Sequence, residues 1–153
     1  MTPERVAAYK DLVYKAKQMG IEIEKMRREL KKISRPSYVS SPVLDGIPRS
    51  GNISDPTARI AVRELTGFIP PHATELKQRI EEKEELLEDL KLEIREVDFW
   101  LEWLPERERW VVTEHLIQGN PWRTVIYKFT QVFGEEYSKD TLARLQRAAF
   151  TRS

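Results

Sequence analysis

The sequence predicts an all-α protein: a long charged helical hairpin or coiled coil, followed by a compact unit of three short helices. Three observations predict it. Two segments carry sustained heptad seams, their charges are opposite in sign, and the last fifty residues divide into short amphipathic stretches punctuated by proline and glycine. With 153 residues, 40% of them hydrophobic and 33% charged, the chain can bury a core, yet much of it must lie on solvated helix faces. The absence of cysteine excludes disulfide scaffolds, thiol catalysis and cysteine-ligated zinc, and fits a reducing compartment.

The first seam runs through Tyr9, Leu12, Ala16, Met19, Ile23, Met26, Leu30 and Ile33. The second runs through Leu76, Ile80, Lys83, Leu87, Leu90, Ile94, Val97, Leu101 and Leu104, with Lys83 its single polar member. Spacings that alternate between three and four put each set on one stripe of a left-handed supercoil. At about 1.5 Å per residue the stripes span roughly 36 and 42 Å, a good match in length.

The net charge of +1 conceals a partition. Residues 1–35 hold ten lysines and arginines against five carboxylates, and residues 74–104 hold five against eleven. A basic helix and an acidic helix thus invite each other. Exposed ion pairs contribute only roughly 0.3–0.5 kcal/mol each, so they choose partner and orientation more than they stabilise. Heptads and charge do not decide whether the pairing forms within one chain or between two chains.

The domain organisation follows. Residues 1–33 form the basic helix, and 34–55, with Pro36, Pro42, Gly46, Pro48 and Gly51, form a flexible linker. Residues 56–104 hold a short helix, opened by Ser54-Asp55-Pro56 and closed by Gly67, and then the acidic helix beyond Pro70-Pro71. Residues 105–153 form the three-helix unit. Pro105 breaks the acidic helix, Gly119-Asn120 and Phe133-Gly134 end the next two helices, and Ser138 caps the last. The aromatic run Phe99, Trp100, Trp103, Trp110 and Trp122 reads as core or helix-junction packing rather than a base-stacking platform.

If Leu142, Leu145 and Ala149 of the last helix point inward, Lys139, Asp140, Thr141, Ala143, Arg144 and Arg147 point outward or flank. A helix of this width fits the major groove, where arginine can hold guanine, aspartate can accept from cytosine, and threonine offers a methyl and a hydroxyl. Arg147 and Arg152, further along, are placed for phosphate.

These residues resemble a known family. Leu104-Pro105-Glu106-Arg107-Glu108-Arg109, then Gly119-Asn120-Pro121-Trp122, then Ser138-Lys139-Asp140-Thr141-Leu142 with Arg144 and Arg147, are similar to region 4 of sigma factors. The whole chain, with its Ser41-Pro42-Val43-Leu44-Asp45-Gly46-Ile47-Pro48 string, resembles the phage-encoded transcriptional activators of the RinA type, relatives of the ArpU group. The resemblance implies a sequence-specific DNA-binding activator of late phage genes with a sigma region 4-like helix-turn-helix. By matching position, Lys139, Asp140, Thr141, Ala143 and Arg144 would read bases, with Arg147 on phosphate, and Trp122, Arg123 and Thr124 would open the first helix of the motif against the backbone. Trp122 to Ser138 is about six residues longer than the compact sigma version, so the first helix or the turn must absorb them. Glu135-Glu136 would repel phosphate, so the turn should face away from DNA.

The expected partners are double-stranded DNA, a second copy of the chain in a homodimer, and bacterial RNA polymerase. No membrane is expected, and the cytoplasm of a bacterial host is the expected location. No enzyme, catalytic residue, metal or cofactor is expected: His72 and His115 lack ligand spacing, no nucleophile elbow surrounds Ser40-Ser41 or Ser50, and Arg49-Ser50-Gly51-Asn52 is not a phosphate loop. Two readings compete: a phage small terminase subunit, which would form a ring, and a coiled-coil adaptor that binds polymerase or another host protein without touching DNA.

Overall fold

The computed structural model describes residues 1–34 and 71–152. The expected linker beyond Ser34 and the short helix from 56 lie outside the described residues. Every described element is a helix: α1 (Pro3–Ala7), α2 (Tyr9–Ser34), α3 (Pro71–Trp103), α4 (Glu106–Val112) running into a π-helical turn (Thr113–Ile117), α5 (Trp122–Phe133) and α6 (Lys139–Thr151). The fold is all-α. No described helix is long and apolar enough to cross a membrane. The chain divides into two compact units, Met1–Gly20 with Leu86–Ser153, and Ile21–Glu85.

The heptad reading holds at every position. All eight residues of the first stripe and all nine of the second are buried or half-buried, while most of their helix neighbours are exposed. In the unit Ile21–Glu85 the two helices run antiparallel within one chain: Glu22 pairs with Lys83, Arg27 with Glu84, and His72 Nε2 lies 3.8 Å from Glu29. Among its described residues Ile23, Ala73, Leu76 and Ile80 are the buried apolar ones. Lys83, the polar member of its stripe, holds the Glu22 carboxyl below its ordinary range through a hydrogen bond and its charge. Glu22 is exposed and Lys83 half-buried, so solvent still screens the pair and it sets register more than stability.

The other unit does not begin at 105. It takes in the N-terminal segment and the last turns of α3, because α1 packs on the π-helical turn and Val6 is sealed in a cluster with Val97, Leu104, Val112, Ile117 and Ala149. Thr2 caps α1 by accepting from the Arg5 N–H at 3.3 Å, and Arg5 pairs with Glu96. The Tyr9 hydroxyl donates to Asp98 at 2.6 Å. That bond, together with burial and the Asp98 charge, pushes the Tyr9 phenol up to about 12 from its ordinary 10.0. The raised value means this contribution to stability is complete below pH 10.0 and is lost as pH rises toward about 12. In an ultraviolet titration the Tyr9 phenol should therefore ionise near that upper value, and Asp98→Ala should move this step down toward the ordinary 10.0. An identical titration curve for the variant would reject the assignment.

A second cluster joins α4, α5 and α6. Val111, Val125, Phe129 and Leu142 are fully buried, with Trp110, Trp122, Ile126, Phe133, Tyr137 and Leu145 around them. Phe129 sits at its centre, with ring centroids 5.5 Å from Trp110, 4.5 Å from Phe133 and 5.0 Å from Tyr137. The punctuation falls where the sequence puts it. Pro105 is the N-cap of α4, and Arg109 Nη2 donates to the terminal carbonyls of α3 at Glu102 and Leu104, each at 3.0 Å. Gly119 and Gly134 stand at φ +71° and +69°, a left-handed conformation that glycine adopts without steric cost.

The aromatic expectation needs a correction. Trp100 stacks on Phe150, and Trp110 and Trp122 are packed, but Phe99 and Trp103 are exposed. Their positions on α3 lie opposite the buried stripe, so the helix turns them to solvent when it buries Leu101 and Leu104.

Candidate nucleic-acid interface

The last helix is built for presentation. Ser138 has extended backbone (φ −72°, ψ 160°), and its Oγ accepts from the Thr141 N–H at 3.3 Å. Asp140 in the first turn complements the positive end of the helix dipole. Leu142 and Ala149, seven residues apart, are fully buried, and Leu145 packs beside them. On a helix this sends Asp140, Arg144 and Arg147, spaced by four and three, to the opposite face. All three are exposed, as is Lys139 on the flank, whereas Thr141 and Ala143 are half-buried at the edges. The Thr141 hydroxyl lies 3.0 Å from Ser138 Oγ, so it belongs to the cap as well as to the edge of the face. Arg147 Nε turns back to the Ala143 carbonyl at 3.4 Å.

The first helix of the candidate motif, α5, is twelve residues long, and the connection Gly134–Ser138 follows it. At its start Arg123 is exposed and Thr124 half-buried. Trp122 stacks on His115 with centroids 3.8 Å apart, and His115 Nδ1 lies 2.7 Å from Gln146 Oε1 of α6. Trp122 is thus a positioning residue with one ring face occupied. The His115–Gln146 link was not foreseen, and no spacing in the sequence points to it, because it joins residues thirty-one apart through a π-helical turn.

The turn has its own anchor. Arg107 donates from Nη2 to Glu135 Oε1 at 2.9 Å and from Nη1 to the Tyr137 hydroxyl at 2.8 Å, and it lies over the Phe133 and Tyr137 rings. Hydrogen bonding from Tyr137 and Arg107, with the guanidinium charge, holds the Glu135 carboxyl below its ordinary range, and Glu135 in turn pushes the Tyr137 phenol up. The Glu135 charge is therefore offset by the Arg107 guanidinium. Glu136 is exposed, and with Arg123, Tyr127, Gln131 and Ser138 it borders an open depression of about 750 Å³ between α5 and the turn.

The charge pattern sorts the basic residues of the last third. Arg107, Lys128 and Arg152 are ion-paired with Glu135, Glu114 and Glu108, and Arg109 and Arg147 bond backbone carbonyls. Arg152, expected on phosphate, is instead the partner of Glu108. Among the described residues Arg123, Lys139 and Arg144 have no hydrogen-bond or ion-pair partner, and they stand exposed. Among the described residues no three His, Asp or Glu side chains converge as a metal ion would require. No family model matches the chain, and no curated protein or solved structure shows significant similarity to it.

Proposed function

We propose that the protein is a sequence-specific DNA-binding transcriptional regulator, of the phage activator kind its sequence resembles, and that it reads the major groove with α6. One observation carries the reading: of the eight basic residues in the last third, the three without a partner among the described residues all belong to the set expected to contact DNA. A cation held in an internal pair gives up that pair to reach phosphate, whereas an exposed unpaired one does not. Arg144 and Asp140 on the outer face of α6 supply base recognition, Lys139 and Arg123 flank it, and Arg147 follows along the axis. One reading helix covers few base pairs, so the proposal includes two copies on two half-sites, with bacterial RNA polymerase as the machinery an activator would serve.

The test is selection of bound sites from random duplex DNA by the intact chain, followed by affinity measurement against salt. Binding should weaken steeply with salt, because phosphate contacts release counterions. Arg144→Ala should cost about 1–3 kcal/mol on the selected site and relax preference at one position, while Arg147→Ala weakens all duplexes alike. No binding of any duplex at low salt would reject the reading in favour of a protein-binding adaptor, and a closed ring of many copies would favour the packaging subunit.

A further inference from the structure

On the face of α3 opposite its buried stripe, Leu92, Phe99 and Trp103 follow one another at spacings of seven and four, and they are 53%, 63% and 75% exposed. Single exposed apolar residues are ordinary, but three in one row are not scattered. The Phe99 and Trp103 rings lie against each other, with centroids 5.8 Å apart and planes inclined at 59°, so the end of the row is a paired aromatic surface already assembled. Its borders are acidic. Lys91 is taken by Glu88 and Glu96 by Arg5; among the described residues Asp89, Glu93 and Glu102 have no ion-pair partner, so carboxylates outnumber the cations beside them, Arg95 and the Arg109 that bonds the Glu102 carbonyl.

From this row and its borders we infer a docking surface for another protein, one that presents a basic amphipathic helix whose apolar side chains meet Leu92, Phe99 and Trp103 and whose lysines or arginines meet the carboxylates. The charge selects the class of partner. A second copy laid on the same row would bring acidic border against acidic border, and an anionic lipid surface or a nucleic acid would be repelled. Large aromatic side chains at the centre of a contact are the kind that carry most of its binding energy, with the charged rim setting rate and choice. The surface stands apart from α6, so this inference does not depend on the DNA reading.

The experiment uses the intact chain and three synthetic peptides: an amphipathic helix of leucine and lysine, the same helix with glutamate for lysine, and a scrambled leucine–lysine peptide of the same composition. The amphipathic basic peptide should bind about tenfold or more tightly than either control. Phe99→Ala and Trp103→Ala should each weaken it about tenfold or more, and Glu102→Lys should weaken it further as salt is lowered. Val132→Ala, which removes an exposed apolar side chain of α5, should leave it unchanged, and helix content should be the same in all variants because every altered side chain is exposed. Equal binding of the three peptides, or full binding by Trp103→Ala, overturns the inference. So does self-association of the chain that Trp103→Ala abolishes, since the row would then be a contact between copies. Unaltered duplex affinity in Trp103→Ala separates this result from any failure of the DNA reading.

Discussion

Phe129→Ala is expected to cost about 3–5 kcal/mol of folding stability, the usual loss when a large aromatic side chain is deleted from a packed interior. Phe129 is fully buried and touches the rings of Trp110, Phe133 and Tyr137, which come from both sides of the α5–α6 turn and from α4. Against a total stability of about 5–15 kcal/mol this is a large fraction, and for a chain of this size it corresponds to a melting midpoint lower by about 10 °C. The loss has a functional side. Tyr137 stacks on Phe129 and ends the turn immediately before the Ser138 cap, so the cavity would loosen the support of α6 where Lys139 and Asp140 emerge. Duplex affinity should fall together with stability. Thermal denaturation and a binding isotherm check both, and a variant within about 1 kcal/mol of the parent would show that the cluster is not the core described here.

Arg152→Ala is expected to cost about 1–3 kcal/mol, and Glu108→Met close to nothing. Glu108 is only 4% exposed; its Oε1 accepts from Arg152 Nη2 at 3.0 Å, and its Oε2 is buried without a partner. Arg152 is 59% exposed in its side chain. Removing the arginine leaves a buried carboxylate with neither oxygen satisfied, a costly state, although solvent near the exposed arginine reduces the loss below that of a fully buried pair. Removing the carboxylate returns the arginine to water and fills the space with an apolar side chain, a change that is often neutral or stabilising. The double variant should therefore recover most of what Arg152→Ala loses. Urea denaturation of the three variants decides it: equal losses for both single variants would mean that the pair acts through packing and not through the buried charge.

The sequence alone was enough to read the two long helices, the two last short ones, both apolar stripes and the punctuation at Pro105, Gly119, Gly134 and Ser138, though not the break between α1 and α2 or the π-helical turn. The reason is that heptad spacing, fixed φ, left-handed φ and capping are local properties of short windows. The outward row of α6 was legible on the same ground, since the burial of Leu142 and Ala149 fixes where Asp140, Arg144 and Arg147 must point. The row Leu92, Phe99 and Trp103 is visible as spacing, but large aromatic side chains are more often buried than exposed, so residue type alone points the other way. What only the tertiary structure decided was the company each charge keeps. Arg107 and Arg144 look alike along the chain, but one is tied to Glu135 and the other has no partner among the described residues. Arg152 finds Glu108 forty-four positions away, and α2 pairs antiparallel with α3 inside this chain through contacts that the heptads do not specify. Coulomb pairing depends on distance in space, and contacts between remote segments carry no periodic signature along the chain.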